Sequence, residues 1–207
     1  MPLKPLALAK SRLTAAVGDA HRPRFALAFA LDTVAAALAC PRVRDVAVVT
    51  DDRQAGAELA AIGARIVPDS PGAGLNAALA HGARRVRSRG AALAVAALNA
   101  DLPALRPAEL GRVLAAAGAF PRAFLADAAG IGTTFLSAVA PLDLNPAFGG
   151  PSRAAHGASG AAEILLDGVE SVRRDVDTGA DLRAALALGV GPATAALWGA
   201  LDPVRGH

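Results

Sequence analysis

Two rhythms of apolar and polar positions alternate along the chain, and the switches between them lay out its elements. "RPRFALAFALDTVAAALAC" (22–40) is apolar all round and long enough for a buried helix. "VRDVAVVTDD" (43–52) is a short β-branched run ending in acids, the pattern of a buried parallel strand. "RQAGAELAAIGA" (53–64) predicts a helix, and "RIVPD" (65–69) a short strand. "GLNAALAHGARRVRSRG" (74–90) follows as helix, and "AALAVAALNADLP" (91–103) as an apolar strand ending in a carboxylate. "RPAELGRVLAAAG" (106–118) predicts a helix with Pro107 in its first turn, where proline is tolerated. Strand and helix in this order predict an α/β fold with a mainly parallel central sheet and helices on both faces. There is no internal repeat and no linker, so residues 1–207 are expected to form a single domain.

Composition sharpens the picture only in places. Hydrophobic residues make up 54% of the chain but aromatics only 3%, so the core must be built from Ala, Val and Leu. The single cysteine, Cys40, excludes an internal disulfide framework and a cysteine-based metal site. No apolar run reaches the roughly 18 residues of a membrane span without a charge or a Gly/Pro break. The N-terminus carries Lys and Arg within its apolar stretch and does not read as a signal peptide. A cytoplasmic location without a membrane partner is the expectation.

The pI of about 9.9 accompanies a formal net charge of only +3. "ARRVRSRG" (83–90) is the densest basic patch, and it suits the negative C-terminal end of a helix dipole. With no Tyr and no nucleic-acid motif, a nucleic-acid partner is not expected.

Candidate chemistry sits at strand ends. In open α/β sheets ligands bind beyond the carboxyl ends of the strands, where this chain places Asp51-Asp52 and Asp101. Asp51 and Asp52 read as a turn or helix cap. Asp101 follows a very apolar strand, and Pro103 fixes the chain just after it. Far away, "VRRDVDTGADL" (172–182) sets Asp175 and Asp177 on one side of an extended segment. Thr178 and Asp181 have the spacing of a capping box. If these acids meet Asp101 in space, a divalent cation relieves their repulsion, and oxygen ligands completed by phosphate favour Mg²⁺. Gly130, Gly132, Thr133 and Thr134 form one hydroxyl-bearing turn. Gly149, Gly150 and Ser152 form another, with Arg153 and His156 behind. Either turn could cradle a phosphate or carboxylate. His156 reads as a surface or helix-start residue. At the N-terminus Lys4, Lys10 and Arg12 punctuate an apolar segment, either snorkelling or waiting for an anion.

Taken in order, "KPLALAKSRL", "VAVVTDD", "GLNAALAHG", "LNADLPAL", "GIGTTFLSA", "FGGPSRAAHGASGA" and "DVDTGADL" resemble a known family. It is that of the 2-phospho-L-lactate / phosphoenolpyruvate guanylyltransferases of deazaflavin coenzyme F(420) biosynthesis. The resemblance covers almost the whole chain. It implies a Rossmann-like nucleotidyltransferase fold. The implied reaction is attack of a phosphorylated three-carbon acid on the α-phosphorus of GTP, releasing pyrophosphate. It implies that Asp101 and Asp175 hold Mg²⁺, and that Thr133, Gly149 and Ser152 contact the acid. Lys10 and Arg12 would lie along the triphosphate with Lys4 nearby, and Asn76 would help hold the nucleoside.

Two departures carry expectations. Met1 sits almost at the lysine loop, so either the chain's assigned start is late or the family's first apolar strand is trimmed and the central strand shortened. Pro151 directly precedes Ser152, fixes φ and removes a donor, so a reshaped turn is expected. The motifs do not read the difference between phosphoenolpyruvate and 2-phospho-L-lactate, and phosphoenolpyruvate is favoured by analogy. A related nucleotidyltransferase with another phosphorylated acceptor and a non-catalytic nucleotide-binding protein remain alternatives. Oligomeric state stays open, a homodimer included.

Overall fold

The computed structural model describes residues 1–70, 72–90 and 94–201. Two short 3₁₀ turns, Leu6–Leu8 and Ser11–Leu13, lead into α1 (Thr14–Val17) and the long α2 (Arg22–Leu38). Then come β1 (Ala47–Val49), α3 (Arg53–Ala61), β2 (Arg65–Val67), α4 (Leu75–Arg87), β3 (Val95–Leu98) and α5 (Pro107–Ala117). The second half holds β4 (Arg122–Ala126), β5 (Thr133–Ala138), α6 (Ser152–Ala158), β6 (Ala162–Glu163), α7 (Glu170–Arg173), α8 (Gly179–Leu188) and α9 (Pro192–Leu201). Elements expected from hydrophobic rhythm fall where expected, with strands trimmed to three or four residues. Residues 91–93 of the third expected strand lie outside the described residues.

The fold is α/β, with one strand reversed. β1 and β2 pair in parallel, as do β4 and β6. β5 runs antiparallel to both β3 and β4 in the order β3-β5-β4-β6, so that sheet is mixed. The reason is local. Residues 127–132 connect β4 directly to β5, and a parallel pairing would need a long crossover. The glycines of "GIGTTFLSA" mark this hairpin, so Thr133 and Thr134 open a strand and are not part of the turn itself. Gly132 is fixed here by crowding, since a Cβ would sit 2.3 Å from Asp127 Oδ2.

Side-chain alternation covers the β3-β5-β4-β6 sheet on both faces. Leu98, Ala123, Leu125 and Phe135 face the core shared with α2, α5 and α7. Val95, Ala97, Phe124 and Leu136 face Leu79 of α4 and Phe148. At the chain start Pro2 makes a single parallel bridge to Val49. An apolar cavity of about 400 Å³ lies beside it, lined by Val49, Leu79, Val95 and Leu98. C-terminally, α9 is tied to α2 by Asp32, whose carboxylate accepts from the N–H groups of Ala193 (3.0 Å) and Thr194 (2.8 Å).

Candidate active site

The lysine loop is held at both shoulders. Leu6 N–H donates to Asp52 Oδ2 at 2.9 Å, and Arg22 donates to the carbonyls of Ala9 and, at 2.8 Å, Ala7. Leu6 and Leu13 are buried. Between them Lys10 adopts a left-handed conformation, φ 58° and ψ 39°, which costs a non-glycine residue about 1–2 kcal/mol. Its ammonium explains why the conformation persists. Nζ bonds Asp101 Oδ2, and Asp177 Oδ1 at 2.6 Å, with only 12% of the side chain exposed. Burial alone would lower the Lys10 pKa; Asp101 and Asp177 outweigh it and raise it above the ordinary value. Asp52 also caps α3 through Ala55 N–H at 3.0 Å, and Asp51 accepts from Asp69 N–H at 2.9 Å. Both acids thus have the structural roles their position suggests.

Asp101 lies just beyond β3. Its carbonyl accepts from Val176 N–H at 3.1 Å, so the "DVDT" segment is laced directly to the strand end. Val176 packs with Leu13, Phe25 and Leu182 and is fully buried, leaving Asp175 and Asp177 on the opposite side with Asp101 and Lys10. Asp175 accepts from Asn99 Nδ2 at 3.4 Å. Its pKa is raised to about 7, first by burial and then by the neighbouring charges of Asp101 and Asp177. Asp101 Oδ1 is buried without a hydrogen-bond partner among the described residues. Downstream the expected capping box is present. Thr178 Oγ1 accepts from Asp181 N–H, and the Asp181 carboxylate accepts from Thr178 N–H at 2.9 Å.

Asp101 and Asp175 fit a divalent cation. An orphaned carboxylate oxygen beside a second carboxylate that resists ionisation is an arrangement that added positive charge would stabilise. Among the described residues no three His, Cys, Asp or Glu side chains are placed to hold a metal ion by themselves.

The other expected residues gather elsewhere. Lys4 and Arg12 are exposed on either side of Lys10 along the loop. Gly149 is exposed at φ 100°, and Ser152 is 2% exposed as the first residue of α6. Pro151, at φ −79°, serves as the N-cap position of α6 and accepts from Ala155 N–H through its carbonyl, with Ser152 the first helical residue. Thr133 is buried, and its Oγ1 lies 3.1 Å from His156 Nδ1. Asn76 bonds both the backbone N–H and the backbone C=O of Phe148. His156 is fully buried in α6, unlike the surface residue its sequence context suggests. Its four-residue spacing from Ser152, which puts both on one helix face, is the available signal. Asn99 has none beyond its place beside Asp101.

Residues 25–166 match the MobA-like NTP transferase domain. The phosphoenolpyruvate guanylyltransferase of Streptomyces coelicolor is 69% identical over 197 residues, spanning 95% of this chain and 93% of its own length. The chain belongs to the phosphoenolpyruvate guanylyltransferase family. A relative of the same name from Streptomyces avermitilis is 70% identical over 196 residues, spanning 95% of this chain and 91% of its own. For this member of the phosphoenolpyruvate guanylyltransferase family, more distant solved structures share the fold alone. A Desulfovibrio desulfuricans G20 protein described as a nucleotide-diphospho-sugar transferase superposes with a TM-score of 0.59 at 14% identity, covering 90% of this chain and 94% of its own. A Mycobacterium tuberculosis H37Rv protein does so at 0.56 and 23%, covering 90% and 96%.

Proposed function

We propose that the protein transfers GMP from GTP to phosphoenolpyruvate, releasing pyrophosphate, as a cytoplasmic step of coenzyme F(420) biosynthesis. A phosphate oxygen of the acid bonds to the α-phosphorus as the bond from that phosphorus to the β-phosphate bridging oxygen breaks. Pyrophosphate leaves with the electron pair. The attacking phosphate is already ionised, so no general base is needed. This agrees with a site whose charged groups are the Lys10 ammonium and the carboxylates of Asp101, Asp175 and Asp177.

The chain's own residues position and neutralise. Lys10 and Arg12 are assigned to the triphosphate, with Lys4 at the loop's outer edge. Lys10 is well suited because its backbone is locked and its ammonium stays charged across physiological pH. Asp101 and Asp175 would hold Mg²⁺, which when bound supplies Lewis-acid stabilisation of charge on the phosphates. Thr133, Gly149 and Ser152 belong to the elements assigned to the acid. Phosphoryl-type transfer depends mainly on such positioning and electrostatics. The observation that carries this reading is the unpartnered Asp101 Oδ1 beside the raised Asp175 carboxyl and the Lys10 ammonium.

The test is pyrophosphate release from GTP and Mg²⁺, with phosphoenolpyruvate and 2-phospho-L-lactate supplied separately and the product drawn off by the next enzyme of the pathway. Release with phosphoenolpyruvate, reduced about 10²–10³-fold in Asp101→Ala, is the expected result. Folded protein that binds GTP but releases nothing with either acid would overturn it.

A further inference from the structure

The turn at 147–152 is held by two side chains that take no part in the transfer chemistry. Asn76, in the first turn of α4, commits both ends of its amide to the backbone of one distant residue, spanning two successive peptide groups. Its Oδ1 accepts from Phe148 N–H at 2.8 Å, and its Nδ2 donates to Phe148 C=O at 3.0 Å. His156 grips the adjoining peptide. Its Nε2 accepts from Ala147 N–H at 2.9 Å, which leaves the ring proton on Nδ1 to donate to Thr133 Oγ1 at 3.1 Å. Phe148 and Phe124 pack against the imidazole at centroid distances of 5.0 and 5.8 Å. With every ring position engaged and no solvent exposure, the imidazole cannot rotate without breaking the turn.

The next two residues differ sharply. Gly149 and Gly150 have φ of 100° and 53°, are exposed, and donate their N–H groups to no acceptor among the described residues. Consecutive free amides in positive-φ backbone form a concavity suited to an anion. Ser152 closes it from behind, its N–H bonded to Gly150 C=O at 2.9 Å. The same framework reaches the carboxylates. Thr134, next to the His156-bonded Thr133, accepts from Asn99 N–H at 3.0 Å through its carbonyl, and Asn99 Nδ2 donates to Asp175 at 3.4 Å.

We propose that Asn76 and His156 are positioning residues that hold the 147–152 turn as a preformed anion cradle for the three-carbon acid. They thereby set affinity for the acid and not for the nucleotide. This rests on the guanylyltransferase reading for the identity of the acid, though not for the existence of the cradle. It also gives Asn76 a role different from the nucleoside contact that the family resemblance implies. Its donor and acceptor are both committed to Phe148, 72 residues away.

The test compares Asn76→Ala, His156→Gln and His156→Ala with the wild-type chain in steady-state kinetics and in amide hydrogen exchange. Asn76→Ala is expected to raise KM for phosphoenolpyruvate by about 10- to 100-fold with KM for GTP unchanged. It should also speed exchange at the Phe148 amide, and through the loosened turn at Ala147, while leaving the β3-β5-β4-β6 sheet protected. His156→Gln, which keeps an acceptor for Ala147 N–H, should recover much of what His156→Ala loses. If His156→Ala fails to fold, the Asn76 variant decides alone. A raised KM for GTP with that for phosphoenolpyruvate unchanged, or no local gain in exchange, would overturn the proposal. Wild-type protein inactive with phosphoenolpyruvate would defeat the functional reading instead, and the exchange comparison would still judge the cradle.

Discussion

The two ends of the candidate site are built on opposite principles. At one end Asp101, Asp175 and Asp177 crowd around the single ammonium of Lys10, one carboxylate oxygen has no partner among the described residues, and the lysine backbone is left-handed. At the other, Asn76, His156, Thr133 and the peptides of Ala147 and Phe148 satisfy one another, all of them neutral. Unbalanced charge marks where ions must arrive, because the cost of burying like charges is recovered only when counter-charge binds. A satisfied neutral network marks where shape must already be present, because a partly satisfied one would let the turn drift.

Breaking the charged end should have the largest effect. Lys10→Ala removes the ammonium between the carboxylates, and is expected to cost about 2.7–4 kcal/mol of barrier. That loss should appear in kcat/KM with the fold retained by circular dichroism. A loss of less than about tenfold would mean that Arg12 or Lys4 carries the triphosphate instead.

A smaller effect separates the ends by pH. Asp175 is raised from 3.8 to about 7 by burial and by Asp101 and Asp177. The folded chain therefore binds more protons there than the unfolded chain does, and stability falls as pH rises through that window. With divalent cations chelated, thermal melts should show Asp175→Asn gaining on the wild type from pH 4 to 8. Parallel melting curves would contradict the strain assigned to this cluster.

The neutral end should show the reverse slope, and more weakly because its shift is smaller. His156 is lowered from 6.5 to about 4, by burial first and then by the Arg122 charge. The unfolded chain binds more protons in that interval, so stability should be lost as pH falls from 6.5 toward 4. His156→Gln should flatten that part of the melting profile. An unchanged acid slope would assign it to other groups.

Much of this architecture is legible in the order of residues. The alternation of helix and strand, Asp101 after an apolar strand, the paired acids of "DVDT" and the Thr178–Asp181 cap all follow from local pattern. The turn at 130–132 is legible from its glycines, but the antiparallel pairing of β5 with β3 and β4 is not, because strand partners are not a local property. Nor is the burial of His156, since an Ala- and Gly-rich neighbourhood gives no hint of it.

The sequence by itself determined the elements, the charges available and the residues able to bind an anion or a metal, because periodicity and side-chain chemistry are local properties. Tertiary structure decided which charges share a space and which polar groups are already spent. It brought Lys10 to Asp101 and Asp177, and Asn76 to Phe148. Those pairings join segments far apart in the chain, and only packing of the sheet between its helices fixes their distances.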